Sequence, residues 1–350
     1  MCRDKLRKFL VISPAWLGDL IMAQGLLKTL KRQYPDSLIG LVAPVWSKSL
    51  VSRMPEVDHC LYVDFKRGQL QLNQRIQIGK QLAQKQYDQA FVLPNSFKSA
   101  IIPLAADIPI RTGWRGEMRY FLLNDIRLLN KKYYPLMLQR YVALAYPSAA
   151  QLPDRLMYPG LISSPEQAMV MAEQFKLIKH GQNLADNEIL VIAPGAAYGP
   201  SKRWPASYFA DVINHQVKNR QQEVWLLGNG QDQAITTAIV AQLEISARSH
   251  CYDLAGKTSL DNLVDLISLA DYVITNDSGL MHLTAALGRK QLALFGSTSP
   301  EHTPPLNEHA ETLWLGLDCS PCFKRTCPLK HFNCMQQLKP EIVIRELNKL

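Results

Sequence analysis

No apolar run in this chain approaches the roughly 20 residues that a membrane-spanning helix needs. The basic opening Met1–Lys8 and the short run Phe9-Leu-Val-Ile12 have the outline of a secretion signal. That run is too brief for one and passes straight into Pro14 and Gly18-Asp19, so it reads as a first buried strand of a cytoplasmic protein. A G-x-G-x-x-G fingerprint is missing after this strand, where Ser13-Pro-Ala-Trp-Leu-Gly18-Asp19 stands instead, which argues against NAD binding. An evenly spread cysteine framework is missing too. Four of the seven cysteines crowd together as Cys319-x2-Cys322-x4-Cys327-x6-Cys334. Their spacing matches no standard zinc module, so free thiols or a redox-sensitive pair are expected ahead of a metal. No internal repeat or low-complexity segment is present.

Acidic residues are in deficit: 30 against 39 Lys and Arg, a net charge of +9. The deficit is local. Residues 1–180 hold 25 basic and 13 acidic residues (+12), and residues 181–350 hold 14 and 17 (−3). A basic N-terminal half suits a polyanionic partner, whether nucleic acid, an anionic membrane surface or a phosphorylated substrate, and it also suits a merely solvated surface.

At 350 residues, with 47% hydrophobic and 20% charged residues, the chain has the composition of a globular enzyme of two domains. Both halves alternate apolar runs with helical spacing, the pattern of α/β units with parallel sheets. Strands are expected at 9–12, 37–43, 60–63 and 89–93, then at 189–193, 223–227, 251–253, 272–275 and 291–294. Helices are expected at 19–33, 47–54, 70–85, 205–217, 231–243, 259–268 and 280–287. The polar stretch Lys179–Glu188 reads as a linker between an N-terminal domain, 1–180, and a C-terminal domain, 181–350. Two Rossmann-like domains facing each other across a cleft follow from this pattern.

Three strand-end loops in the second half suit a phosphorylated ligand. Val273-Ile-Thr-Asn-Asp277-Ser278-Gly279-Leu280-Met-His282 is a strand, a turn and a helix start, and such a start offers unpaired N–H groups to an anion. Asp277 and Ser278 are good N-cap residues, and His282 lies one helical turn past Ser278. Pro194-Gly195-Ala196-Ala-Tyr-Gly-Pro-Ser-Lys202-Arg203-Trp-Pro is a small-residue loop ending in two cations, of which Lys202 can neutralise a phosphate. Leu227-Gly228-Asn-Gly-Gln-Asp232 is suited to a base or ribose, and Thr258 is a further candidate binding residue. In the first half, Asp19 at the start of a helix is either an N-cap or a carboxylate placed to accept a proton. Arg111-Thr-Gly-Trp-Arg115-Gly-Glu117-Met-Arg119-Tyr-Phe, with Lys98 upstream, interleaves cations and aromatics.

Taken in order, these blocks, together with Leu93-Pro-Asn-Ser-Phe-Lys-Ser-Ala100 and Lys202-Arg-Trp-Pro205, resemble the ADP-heptose:lipopolysaccharide heptosyltransferases. The likeness is strongest to members that act on the first heptose of the inner core. The resemblance implies a GT-B fold and an inverting, metal-independent glycosyl transfer with no cofactor. ADP-heptose is the implied donor and the phosphorylated lipopolysaccharide inner core the implied acceptor. It further implies Asp19 as general base, Lys202 as the diphosphate cation, and Asp277–Leu280 with His282 as the donor loop. An enzyme of this kind is expected in the cytoplasm, peripherally on the inner membrane's cytoplasmic face, with Lys98, Arg111, Arg115 and Arg119 holding the anionic acceptor. No nucleic acid is expected as partner. The rival readings are another GT-B enzyme, such as a nucleotide-sugar epimerase, and a non-catalytic nucleic-acid-binding protein.

Overall fold

The computed structural model describes residues 6–66, 68–177 and 188–350. The chain divides into two compact units, Met1–Pro159 and Gly160–Leu350. The division falls before the 180/181 boundary expected from polarity. The reason is that the helix Pro165–Gln174 packs on the helix Leu260–Ser268 of the second unit. The expected linker, apart from Glu188, lies outside the described residues.

The first unit is a six-stranded parallel sheet, with β1 Lys8–Ile12, β2 Leu38–Pro44, β3 His59–Val63, β4 Gln89–Val92, β5 Ile110–Trp114 and β6 Asp125–Arg127. Its order is β3-β2-β1-β4-β5-β6. Phe9, Leu10, Val11 and Ile12 are all buried, as a central parallel strand covered on both faces requires. Leu10, Ile12, Val42, Ala90, Val92 and Ile102 form one face of the core. The chain order reverses between β1 and β4, and ligands of such sheets bind outside the strand carboxyl ends at that switch point. Asp19 follows β1 there, and Lys98 follows β4.

The second unit repeats the plan with β7 Ile189–Ala193, β8 Glu223–Leu226, β9 Cys251–Asp253, β10 Tyr272–Asn276, β11 Lys290–Phe295 and β12 Ala310–Trp314. All strands are parallel, in the order β12-β11-β10-β7-β8-β9. Its core joins Leu190, Ile192, Trp204, Phe209, Leu226, Ile274, Leu292 and Val343. Here the switch point lies between β7 and β10, and those two strands carry the Gly195–Lys202 and Asp277–Gly279 loops. Strands β5, β6 and β12 were not expected from the sequence. Each lies at or next to a sheet edge and mixes polar with apolar residues.

Candidate active site

At the β7/β10 switch point the Lys202 Nζ donates to Asp277 Oδ2 at 2.5 Å, and the Thr298 hydroxyl donates to the same oxygen at 2.5 Å. Asp277 is buried. The expected cap therefore turns its carboxylate sideways, onto Lys202. Ser278 occupies the N-cap of the helix Gly279–Ala286, but its side chain makes no cap hydrogen bond. The helix start thus keeps its unpaired amides and its partial positive charge.

His282, on the same helix, is buried. Burial pulls its pKa down to about 4; Asp277 opposes the shift and Lys202 adds to it. The ring is therefore neutral at pH 7 and adds no charge beside Lys202.

The loops around this pair are stitched together by residues that sequence reasoning did not single out. Asn276 Nδ2 donates to the Pro194 carbonyl at 2.6 Å, and Asn276 Oδ1 accepts from the Trp204 amide at 3.2 Å. Ser201 Oγ and Ser297 Oγ are 2.9 Å apart. Ser297 and Thr298 belong to Gly296-Ser-Thr-Ser-Pro after β11. Small polar residues after a buried strand were the available signal there.

Gly195 and Asp232, both expected to bind the donor, are in direct contact with each other. A Cβ on Gly195 would lie 2.4 Å from the Asp232 carboxyl, so only glycine lets this carboxylate pack against the loop. Asp232 is buried and accepts from the Asn229 amide at 3.0 Å. Burial raises its pKa, opposed by the Asn229 amide and by Arg203. Its place is under the loop, where it closes the turn after Gly228. Ala196 is buried, Leu280 is half-buried, and the buried Thr258 hydroxyl has no hydrogen-bond partner in the structure.

In the first unit Asp19 lies in the first turn of the helix Leu17–Gln33, whose N-cap is Trp16. Trp16 makes no side-chain cap hydrogen bond, and Asp19 stands inside the helix rather than at its N-cap position. The buried Tyr141 hydroxyl donates to Asp19 Oδ1 at 3.4 Å. Burial, then the Asp19 charge, hold the Tyr141 pKa well above its ordinary value, so the phenol keeps its proton.

The four basic residues expected to meet an acceptor divide into two kinds. Arg119 is 1% exposed. Its guanidinium donates to the Pro94 and Trp114 carbonyls at 2.6 Å each and to Asn95 Oδ1 at 3.1 Å. Burial lowers its pKa to about 10, with Glu117 opposing. Arg111 donates to the Leu122 and Ile108 carbonyls at 2.8 and 2.6 Å. The expectation that Arg119 faces an acceptor is corrected here, because the side chain is buried and its two terminal nitrogens already donate to protein oxygens; Arg111 is tied down in a similar way. Arg115 is exposed, and Lys98 is half-buried with its Nζ 3.3 Å from the Gln69 carbonyl. On the same loop Met118, Tyr120 and Phe121 are exposed, Phe121 at 94%.

Cys319, Cys322, Cys327 and Cys334 are free thiols. Burial pushes the Cys327 pKa up, but amides of Phe332, Leu329, His331 and Lys330 outweigh it and hold the thiol below its usual range.

Two Rossmann-like units, each built on a parallel six-stranded sheet, have the GT-B architecture of glycosyltransferases. Residues 75–333 match the model of glycosyltransferase family 9 (heptosyltransferase), and the chain belongs to that family. It is 41% identical over 348 residues to lipopolysaccharide heptosyltransferase 2 of Escherichia coli (strain K12), covering 98% of both chains. It is 43% identical over 311 residues to lipooligosaccharide heptosyltransferase 2 of Haemophilus influenzae, covering 87% of this chain and 88% of the relative. The solved structure of E. coli ADP-heptose lps heptosyltransferase II matches with a TM-score of 0.85 at 39% identity, covering 98% of each chain.

Proposed function

We propose that this enzyme moves a heptose from ADP-L-glycero-D-manno-heptose onto the first heptose of the lipopolysaccharide inner core. In this reading the anomeric configuration inverts and no metal ion takes part. The observation that carries it is the Lys202–Asp277–Thr298 set beside an uncapped helix start, at the switch point of the second unit.

The chemistry asks for two things. An acceptor hydroxyl has a high pKa, so it needs a carboxylate to take its proton as its oxygen bonds to the anomeric carbon. Asp19, oriented by Tyr141, supplies that base. As the bond from the anomeric carbon to the diphosphate oxygen breaks, ADP gains negative charge. Lys202, held by Asp277, and the helix amides stabilise that charge in place of a metal ion. A neutral His282 adds a hydrogen bond without a further charge.

No helix among the described residues is long and apolar enough to cross a membrane. We place the enzyme in the cytoplasm, peripherally on the inner membrane. The support is the +12 excess of residues 1–180 and the exposed Met118, Tyr120 and Phe121 beside exposed Arg115.

Incubation with ADP-heptose and a heptose-bearing core acceptor tests the reading. ADP release should persist in EDTA, and the product should carry the inverted linkage by NMR. Strict dependence on added magnesium or manganese would remove the metal-free account, and no ADP release with any core acceptor would remove the whole.

A further inference from the structure

We propose that Arg325 is a second donor-binding cation, seated beside Lys202 on the Tyr198 ring to hold the diphosphate of the sugar nucleotide. The inference rests on the donor-site reading above and adds to it a residue from the cysteine-containing C-terminal segment.

It starts from charge. A nucleotide diphosphate brings about two negative charges, and both cations of the loop after β7 already face a carboxylate. Lys202 is paired with Asp277, and Arg203 lies within electrostatic reach of Asp232. A site whose own charges cancel holds a dianion poorly, because taking the diphosphate out of water needs an opposing charge. Arg325 supplies one. It is exposed, and among the described residues no carboxylate pairs with it. Its Cζ lies 5.5 Å from the Tyr198 ring centroid, and the Lys202 Nζ lies 4.9 Å from the same centroid. The two cations share one aromatic ring, an arrangement that attracts both.

Arg325 is also fixed at its root by contacts that do not involve its side chain. The Ser201 amide donates to the Arg325 carbonyl at 3.2 Å, and the Tyr198 hydroxyl donates to the Phe323 carbonyl at 2.7 Å. The Ser201 hydroxyl donates to the Lys324 carbonyl. Gly199 has φ +156°, and a Cβ there would lie 2.4 Å from the Arg325 carbonyl oxygen, so the two backbones approach where only glycine fits. From the other side the Phe323 amide donates to the Ser297 carbonyl at 2.7 Å, one residue from the Thr298 that holds Asp277. The segment is thus clamped to both donor loops through its main chain. The guanidinium remains outside the clamp and available to a ligand, with part of its ordering already in place.

The separation of main-chain clamp from side-chain charge makes a clean test. ADP and adenosine are titrated by calorimetry into wild type, Arg325→Ala and Arg325→Lys, with melting temperatures recorded alongside. Loss of a charged hydrogen bond should weaken ADP binding in Arg325→Ala on the order of tenfold or more. Adenosine affinity and melting temperature should stay at the wild-type values, and Arg325→Lys should recover part of the loss. Wild type and Arg325→Ala binding ADP alike would overturn the inference while leaving the donor site standing. Equal losses for ADP and adenosine, or a lowered melting temperature, would overturn it in favour of a structural role. A wild type that binds no ADP would overturn the donor-site reading itself, and the inference with it.

Discussion

Lys202 and Asp277 come from loops 75 residues apart and meet at 2.5 Å, with Asp277 buried and Thr298 on the same oxygen. In the proposed donor site Asp277 would act through Lys202: the pair holds the ammonium in place before a diphosphate arrives, leaving less reorganisation for the transition state. Lys202→Ala should raise the ADP-heptose KM and also lower kcat, since the leaving group gains charge as the bond breaks. A charged hydrogen bond is worth roughly 1.5–3 kcal/mol, which corresponds to about 10- to 150-fold in kcat/KM. Unchanged steady-state kinetics would show that another group carries the diphosphate.

Asp277→Asn keeps the shape but removes the opposing charge. Lys202 then loses its partner in a partly buried place, so thermal stability should fall and the donor KM should rise. A melting temperature equal to wild type would mean that the pair does not hold the loops together.

Asp19→Asn should reduce kcat by about 10²–10⁴-fold, the range for loss of a general base. ADP affinity should be untouched, because Asp19 lies in the other unit from Lys202. Tyr141→Phe removes only the hydroxyl that contacts Asp19 and should give a smaller loss of kcat. Full turnover by Asp19→Asn would reduce this carboxylate to a surface feature of the helix.

His282 gives a signed pH dependence. Its folded pKa is about 4, below the ordinary value of 6.5. Between these values the unfolded chain binds a proton that the folded one does not, so stability rises with pH in this window. It is lost as pH falls from about 6.5 towards 4, and His282 adds no slope above that range. His282→Gln should flatten this part of the curve in urea melts at pH 7 and pH 5. Equal loss of stability in both proteins would place the sensitivity elsewhere.

Arg119 and Arg115 should separate cleanly, although they stand four residues apart. Arg119→Ala strips buried carbonyls of their donor, which costs about 1–3 kcal/mol for each buried group left unsatisfied, so a large fall in melting temperature is expected. Arg115→Glu should leave the melting temperature alone, raise the acceptor KM and reduce binding to anionic vesicles. Wild-type vesicle binding should weaken with salt, and Phe121→Ser should lower it further. Vesicle binding that ignores both Arg115→Glu and Phe121→Ser would detach this loop from any membrane role.

Local chemistry made much of this protein readable in its sequence. Buried parallel strands need apolar runs, so β1, β4, β7 and β10 stand out through Phe9-Leu-Val-Ile12, Ala90-Phe-Val92, Ile189-Leu-Val-Ile-Ala193 and Tyr272-Val-Ile274. Loops that follow such strands carry the glycines, cations and carboxylates that suit an anion, which is how Lys202 and the Asp277 turn were legible. The edge regions were not. Ile110-Arg-Thr-Gly-Trp114 and Ala310-Glu-Thr-Leu-Trp314 become β5 and β12 because a neighbouring strand supplies the pairing, which neither run's composition announces. The partner of a polar side chain was equally hidden. Arg115 and Arg119 look alike in sequence, yet Arg119 is buried because the Pro94 and Trp114 carbonyls converge on its guanidinium. Asp277 reads locally as a cap and becomes the anchor of Lys202 only because β7 and β10 are neighbours in the sheet. A residue's own chemistry states which bonds it can make, and only the folded chain decides which of its possible partners comes within reach.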